Sequence, residues 1–233
     1  MTARRQVIVV SFSGIDGAGK STQIEMLRTS ITQAGLGSCL LTFWDDVAMF
    51  SGFREMCSHV VFRGDKGVGS PDKPIERRDK NVSSWPAMVM RLFFYMFDAL
   101  NLTFKYTKAK RGTADVVIFD RYIYDEFANL PLQQWMVRFY VHMMMKLVPR
   151  PDIAYIIDAD PAQARLRKPE YPYEFLQRNR ASYLELNKIA EVMTIIAPAP
   201  IVEAHSNVVA ALAKKMPDQE RNFFSNIKAF IES

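Results

Sequence analysis

GIDGAGKS, residues 14–21 of the chain, fits the phosphate-binding pattern G-x-x-x-x-G-K-[ST]. The apolar, β-branched run QVIVVSF at Gln6–Phe12 comes before it and has the length of a buried strand. Apolar side chains follow it at helical spacing, at Ile24, Leu27, Ile31 and Ala34. This order of strand, glycine loop and helix predicts a loop whose backbone N–H groups bind a phosphate at a helix N-terminus.

The residue types inside this loop predict individual roles. Lys20 would reach the β- and γ-phosphates of a bound nucleotide, and the hydroxyl of Ser21 would ligate Mg²⁺. The residues predicted to bind ATP are Gly14, Ile15, Asp16, Gly17, Ala18, Gly19, Lys20, Ser21 and Thr22. The alternative is an ordinary glycine-rich turn, but a chance match in a chain of this length is about a one-per-cent event.

Composition and charge narrow the classes of protein. The chain has 233 residues, of which 49% are hydrophobic and 24% are charged, and its net charge is +5. These values predict one globular domain over residues 1–233 that binds an anionic small molecule, and they are too mild to indicate nucleic-acid binding. Cys39 and Cys57 have no metal-type spacing, which fits a reducing, cytoplasmic location.

One apolar stretch, Pro86–Phe104, has about the length that crosses a bilayer. Arg91 and Asp98 lie inside it, and each charged residue at bilayer depth costs about 2.5–3.5 kcal/mol. The stretch therefore predicts a buried core helix, and we expect no membrane association. By contrast, Arg63–Asn81 is charged and rich in Gly and Pro, which predicts a mobile loop or an insertion over the active face.

Segments of strand length alternate with helical patterns along the chain. The predicted strands are Gln6–Phe12, Ser38–Phe43, Asp115–Phe119, Ile153–Ile157 and a fifth within Thr194–Glu203. The predicted helices include Leu132–Leu147, Tyr173–Met193 and Gln219–Ile231. This alternation predicts an α/β fold with a parallel sheet that helices cover on both faces.

The predicted strand Asp115–Phe119 runs directly into Asp120-Arg121-Tyr122. Ligands of open α/β sheets lie beyond the carboxyl ends of the strands, so Asp120 and Arg121 should face the phosphates held by GIDGAGKS. Asp120 can hold Mg²⁺ through water, whereas Arg121 stands where motor ATPases usually have a glutamate that activates water. Arginine cannot act as a base and suits a bidentate contact with phosphate. The pair therefore favours phosphoryl transfer to an acceptor over hydrolysis.

The sequence lacks the motifs of other classes of nucleotide-binding protein. There is no guanine-reading N-K-x-D after a late strand, no L-S-G-G-Q of transporter ATPases and no protein-kinase H-R-D with D-F-G. What remains is a P-loop kinase that acts on a small molecule.

Four stretches together resemble the thymidylate kinase family: FSGIDGAGKSTQ at 12–23, VVIFDRY at 116–122, PDIAYIIDADPAQARLRK at 151–168 and EFLQRNRASYLEL at 174–186. The resemblance implies a P-loop kinase fold with a five-stranded parallel sheet and a short lid near residues 165–173. It also implies Mg²⁺-dependent transfer from ATP to a nucleoside monophosphate, most of all thymidylate. A homodimer formed through the apolar helix near Arg91 is a further implication.

The resemblance assigns roles to single residues. Lys20 and Ser21 would hold the donor phosphates and the metal, and Asp16 would contact the acceptor sugar. Asp120 and Arg121 would place the metal and the acceptor phosphate.

Some family members carry an arginine next to the P-loop aspartate, where this chain has Gly17. Members that lack this arginine supply one from the lid instead, which points to Arg165 and Arg167 as catalytic residues. Arg91 and Tyr122 complete the predicted substrate-binding set.

The acceptor half of the site departs from the family pattern. TFWDDV at 42–47 replaces R-E-P-G-G-T, FDAL at 97–100 replaces A-x-R, and DEFANL at 125–130 replaces S-x-A-Y-Q. The Asp125–Glu126 pair is expected to disfavour a monophosphate, so the acceptor phosphate would need Arg54, Arg63 or Arg91. The alternatives are a kinase for a nucleoside or another phosphorylated metabolite, and a nucleotide-binding regulatory protein that has lost catalysis.

Overall fold

The computed structural model describes residues 7–48, 85–190 and 193–216 of the chain. Their strands form one five-stranded parallel sheet in the order β2-β3-β1-β4-β5. The strands are β1 Ile8–Ser13, β2 Ser38–Thr42, β3 Val116–Asp120, β4 Ile153–Ile157 and β5 Met193–Ile196. Every residue of β1 and of β4 is buried, so helices cover the centre of the sheet on both faces. The predicted α/β fold is confirmed.

Seven α-helices lie within the described residues. They are α1 Lys20–Gln33, α2 Trp85–Lys110, α3 Ile123–Ala128, α4 Trp135–Leu147, α5 Pro161–Arg167, α6 Tyr173–Ala190 and α7 Ile201–Ala213. A single π-helical turn, Phe43–Val47, follows β2. Helix α1 packs against α7, and α3 packs against both α2 and α6. Because α1 and α3 both follow central strands, their N-termini meet at one edge of the sheet.

The carboxyl-terminal part of the sequence interpretation needs two corrections. The fifth strand, Met193–Ile196, lies at the start of the predicted range Thr194–Glu203, and residues from Ile201 onward form α7. Helix α6 ends at Ala190, so Met193 belongs to β5 and not to the predicted helix Tyr173–Met193. In both places an apolar run spans two elements, and hydrophobicity alone does not mark the boundary between them. The predicted helix Gln219–Ile231 and the segment Arg63–Asn81 lie outside the described residues.

Helix α2 is only partly the buried core helix that Pro86–Phe104 predicts. Tyr95, Asp98 and Leu102 are buried, but another row of apolar side chains along the same helix is exposed. That row consists of Val89, Phe93, Met96, Leu100 and Phe104. None of the helices in the described ranges is long and apolar enough to cross a membrane.

A buried histidine joins α7 to α1 and gives a first prediction. His205 Nε2 lies 3.0 Å from Ser30 Oγ, and burial lowers the pKa of His205 from 6.5 to about 4. The unfolded chain therefore takes up this proton first as pH falls. We expect the free energy of unfolding to drop by up to about 3 kcal/mol from this group as pH falls from 6.5 to 4.

Urea unfolding at several pH values tests this contribution against His205→Gln, which keeps a polar side chain but does not titrate here. Carboxylates contribute equally to the pH dependence of the unfolding free energy in both proteins. The difference between the two curves therefore gives the contribution of His205. Parallel curves between pH 4 and 6.5 would show that His205 does not titrate with folding.

Candidate active site

Three glycines of the loop at residues 14–19 have backbone angles that other residues rarely adopt. Gly14, Gly17 and Gly19 have φ values of 140°, 82° and 92°. Gly19 is the N-cap residue of α1 and offers no side-chain cap, so the first N–H groups of the helix have no side-chain acceptor there. The loop thus presents a helix N-terminus of the kind that binds phosphate.

The Lys20 side chain is folded back into this loop. Its Nζ donates hydrogen bonds to the carbonyl oxygens of Gly14 and Ile15, each at 2.9 Å. Burial, and next the nearby charge of Arg121, lower the pKa of Lys20 to about 8. A buried ammonium whose hydrogen bonds within the described residues go to carbonyl oxygens is positioned to bind an anion, because phosphate oxygens would compensate its charge better.

The end of β3 lies beside the end of β1, which brings the second predicted motif to the loop. Asp120 pairs with Phe12 in register, and the backbone N–H of Arg121 donates to the Phe12 carbonyl at 3.0 Å. Burial raises the pKa of Asp120, although the charges of Arg121 and Lys20 act in the opposite direction. Arg121 has φ 67°, the one positive φ of a non-glycine residue in the described ranges. Such a conformation is strained and is common at functional sites.

The guanidinium of Arg121 lies between two carboxylates. Its Nη2 is 2.5 Å from Asp16 Oδ1, and its Nη1 is 3.4 Å from Asp125 Oδ1. The pKa of Arg121 is raised because the favourable charges of Asp125 and Asp16 outweigh desolvation. The structure therefore brings Asp16, Lys20, Asp120 and Arg121 together at one end of the sheet.

The expectation that Asp125 adds unpaired negative charge to the site needs a correction, because four donors surround its carboxylate, although its charge still raises the pKa of Asp120. Its carboxylate accepts hydrogen bonds from Ser13 Oγ at 2.6 Å, from Tyr183 Oη at 2.7 Å and from the Tyr122 N–H at 3.0 Å. With Arg121 as a fourth partner, the charge is compensated inside the protein. Glu126 is also buried, but its Oε1 has no hydrogen-bond partner within the described residues.

The short helix α5 brings one of the two predicted lid arginines to the loop. Asp160 caps α5 by accepting from the N–H groups of Ala162 and Gln163. At the other end of α5, Arg167 Nη1 donates to the carbonyl oxygen of Gly17 at 3.2 Å. Arg165 is exposed on the same helix.

The approach of α5 explains why residue 17 is glycine. A Cβ atom on Gly17 would collide with the backbone carbonyl of Ala164, and the φ of 82° disfavours other residues in any case. An arginine at this position, as some thymidylate kinases have, does not fit this arrangement. That Arg167 is a catalytic arginine from the lid stays a prediction.

The remaining predicted site residues occupy different environments. Ser21 and Thr22 are exposed at the start of α1, and Arg91 is partly buried in α2. Tyr122 is fully buried, and its hydroxyl donates to the Pro149 carbonyl at 2.7 Å. Its side chain is part of the core, and its predicted contact with a substrate stays a prediction.

The structure adds residues that the sequence interpretation missed. Ser13 and Tyr183 bind Asp125, and Arg180 binds both carboxylate oxygens of Asp158 at 2.6 Å. Asp158 directly follows β4, so the rule that ligands gather at carboxyl ends of strands could have identified it. Nothing in the sequence singles out Tyr183, since its contact with Asp125 spans 58 positions.

The donor set of the site suits magnesium. Ser21 offers a hydroxyl and Asp120 a carboxylate, and Mg²⁺ prefers oxygen ligands that it shares with substrate phosphates and water. Within the described ranges there is no group of three or more His, Cys, Asp or Glu that could bind a metal alone.

The chain resembles several known proteins. No protein-family model matches it. It is 26% identical over 224 residues to a probable thymidylate kinase of Thermococcus kodakarensis, a match that covers 91% of this chain and 99% of that protein. It is 32% identical over 119 residues to a probable thymidylate kinase of Pyrobaculum calidifontis, covering 46% of this chain and 58% of that protein.

A solved structure shares the fold. The crystal structure of the thymidylate kinase from Ehrlichia chaffeensis superposes with a TM-score of 0.54 and covers 89% of this chain and 99% of that one. The two sequences are 19% identical, so this likeness shows the fold alone.

Proposed function

Because this chain is a relative of the thymidylate kinases, we propose that it transfers the γ-phosphoryl group of ATP to a nucleoside monophosphate. Thymidylate is the acceptor we propose first, with dTDP and ADP as products. The observation that supports this most strongly is the Asp16–Arg121 ion pair beside Lys20. It supports the proposal because two cationic side chains, Lys20 and Arg121, lie near the carboxyl ends of neighbouring strands.

The transfer needs little covalent chemistry from the protein. An oxygen of the acceptor phosphate forms a bond to the γ-phosphorus, the bond from that phosphorus to the β-γ bridging oxygen breaks, and ADP leaves. Lys20 compensates the charge of the donor phosphates, and Arg121 orients the acceptor phosphate. Ser21 and Asp120 would hold Mg²⁺, which would offset the negative charge that develops during transfer.

Water must be kept away from the γ-phosphate if transfer is to compete with hydrolysis. Arg121 supplies no general base, and α5 covers the loop through the contact of Arg167 with Gly17. We infer that α5 and the residues that follow it act as the lid, which excludes water when a nucleotide is bound.

The acceptor side is less complete within the described residues. Arg91 lies in α2, whereas Arg54 and Arg63 are outside those ranges. The departures from the family pattern at 42–47, 97–100 and 125–130 keep a different acceptor as the second candidate, such as a nucleoside or another phosphorylated metabolite. A cytoplasmic location stays a prediction.

The reaction is tested with Mg-ATP and a panel of deoxynucleoside and ribonucleoside monophosphates, together with free nucleosides. ADP release is followed for each acceptor and for a blank without acceptor. Release that requires thymidylate supports the proposal. If ADP is released only with a different acceptor, that compound replaces thymidylate as the proposed substrate. Binding of ATP without any turnover would favour a regulatory protein.

The two lid arginines make a matched pair for a second prediction. Both arginines are exposed on the same short helix, and Arg167 is the one that donates a hydrogen bond to the Gly17 carbonyl of the loop. We expect Arg167→Ala to lower kcat by about 10²-fold and to raise the ratio of hydrolysis to transfer, because it removes a cation from the phosphates. Arg165→Ala should change kcat less than about threefold. Equal losses in both variants, measured by ADP release with and without acceptor, would contradict this assignment.

We also propose that the protein forms a homodimer. Helix α4 carries a second exposed apolar row: Trp135, Met136, Phe139, Met143 and Leu147. The hydroxyl of Tyr140 in α4 donates to the Leu92 carbonyl in α2 at 2.7 Å, so the two helices lie side by side. Together the rows of α2 and α4 form an apolar face, and large apolar faces of this kind commonly mark protein interfaces.

A charge placed on this α2/α4 apolar face should separate the subunits. We expect the wild type to sediment as a dimer at micromolar concentration and Leu100→Glu to sediment as a monomer, because a buried carboxylate at an interface lacks a partner. Ile201→Glu on α7 is the control, since Ile201 is exposed but lies on neither helix. A monomeric wild type, or a dimer that Leu100→Glu leaves intact, would rule out this interface.

A further inference from the structure

The carboxylate of Asp125 connects three segments of the site. Ser13 ends β1, Tyr122 and Arg121 lie between β3 and α3, and Tyr183 belongs to α6. Oδ2 accepts from Ser13 and from the Tyr122 N–H, while Oδ1 accepts from Tyr183 and Arg121. The Asp125 side chain is 4% exposed, so almost all of its binding capacity is used inside the protein.

An ionised carboxylate is the group that this arrangement requires. All four neighbours are donors, and a carboxylate accepts on both of its oxygens. An asparagine would accept on one oxygen only and would direct its own N–H groups at the donors on the other side. Asp125 and its isosteric amide therefore differ in hydrogen bonding and charge but hardly in volume.

Arg121 depends on Asp125 for its direction. Asp16 binds one terminal nitrogen of the guanidinium and Asp125 the other, so the two carboxylates fix the plane of the group. About a fifth of the Arg121 side chain, 22%, remains exposed, and this edge is what a phosphate would contact. Without Asp125 the guanidinium would be held at one end only.

Tyr183 extends the same network to α6, the helix that follows the proposed lid. Its hydroxyl donates to Asp125 at 2.7 Å, and the side chain is buried. Burial, and next the charge of Asp125, raise the pKa of Tyr183 well above its usual value, so the hydroxyl stays a neutral donor. Through this bond, α6 is fixed to the same carboxylate that orients Arg121.

We propose that Asp125 is a positioning residue for phosphoryl transfer, an inference that rests on the proposed kinase function. It holds the Arg121 guanidinium toward the acceptor phosphate and joins α6 to the phosphate-binding loop. The acidic residue that departs from the family pattern thus serves catalysis through Arg121 and does not repel the substrate. Asp125 itself contacts no reacting atom.

A double-mutant cycle in kcat tests this role, with the variants Asp125→Asn, Arg121→Lys and the two combined. We expect Asp125→Asn to lower kcat by about 30-fold while the KM for ATP changes less than about threefold, because misplacement of one phosphate-orienting group has effects of this size. If Asp125 acts through Arg121, the double variant should lose less than about threefold beyond the worse single variant. Multiplied losses would overturn the proposal.

Tyr183→Phe provides a second cycle that does not require Asp125→Asn to fold. Tyr183 and Arg121 both donate to Oδ1 of Asp125, which makes this carboxylate the hydrogen-bonded link between them, so coupling between Tyr183→Phe and Arg121→Lys in kcat supports a role for Asp125. We expect Tyr183→Phe alone to lower kcat about fivefold and to add little to Arg121→Lys. Independent, multiplied effects in this cycle would equally contradict the positioning role.

Tyr155→Phe is the matched control for both cycles. Tyr155 is a buried tyrosine whose hydroxyl donates to a backbone carbonyl, that of Val208, at 2.9 Å. Its loss should lower the thermal midpoint as Tyr183→Phe does, but leave kcat within about twofold. A similar drop in kcat for the control would show that the Tyr183 effect is only structural. If the wild type turns over no acceptor, the proposed function is wrong. If the wild type is active but the variants show no coupling, only the positioning role of Asp125 is wrong.

Discussion

Lys20→Met is expected to lower the rate of phosphoryl transfer by about 10³-fold or more, since a cation on the transferring phosphates contributes on this scale. Methionine keeps an apolar stem of similar length but has neither the charge nor the donors. The wild-type ammonium is buried and has a lowered pKa of about 8, which shows that burial disfavours its charge. The free energy of unfolding should therefore stay within about 1 kcal/mol of the wild-type value or rise.

The measurement combines steady-state ADP release with thermal unfolding of the same samples. Lys168→Met is the control, because Lys168 is an exposed cation of the proposed lid whose partner is Glu170 at 3.4 Å. Full activity of Lys20→Met in a folded protein would show that the loop is not the donor site.

Gly17→Ala is expected to have the second largest effect, a loss of kcat of about 10²-fold. The new Cβ would collide with the backbone carbonyl of Ala164, so α5 must move away from the loop. Arg167 would move with it and would lose its contact with Gly17. ATP hydrolysis without acceptor should become a larger share of turnover, because the lid would exclude water less well.

Gly35→Ala separates backbone strain from this collision. Gly35 has a similarly positive φ of 72°, but a Cβ there would meet nothing within 4 Å. The unfolding free energy should fall by a similar amount in both variants, roughly 1–2 kcal/mol, while kcat should fall only in Gly17→Ala. A kcat for Gly17→Ala close to that of Gly35→Ala would mean that the contact with α5 is not needed for catalysis.

The parts of the fold that the sequence predicted are those with a strong local signal. β4 was predicted at its observed bounds, Ile153–Ile157, because a β-branched buried run has few alternatives. Helix α7 was missed because the prolines before Ile201 resemble a broken strand, although a proline can also precede the first turn of a helix. The exposed row of α2 could not be distinguished from core by composition, since an interface and a core use the same side chains.

In the candidate site, too, the features with a local signal could be predicted and those without one could not. The glycine loop and Asp120-Arg121 could be located because each follows a strand that ends at the same edge of the sheet. The environment of Asp125 could not be predicted, because its partners Ser13 and Tyr183 are 112 and 58 positions away. From the sequence, a carboxylate next to a phosphate site is expected to repel the phosphate. The hydrogen bonds that compensate its charge are visible only in the structure.

The central claim is that a phosphoryl group passes from ATP to an acceptor monophosphate at the loop that contains Lys20. The most direct measurement is transfer of label from [γ-³²P]ATP to thymidylate in the presence of Mg²⁺, with the products separated by chromatography. The account predicts labelled dTDP from the wild type and almost none from Lys20→Met. Label found only in inorganic phosphate, or the same amount of dTDP from both proteins, would contradict it.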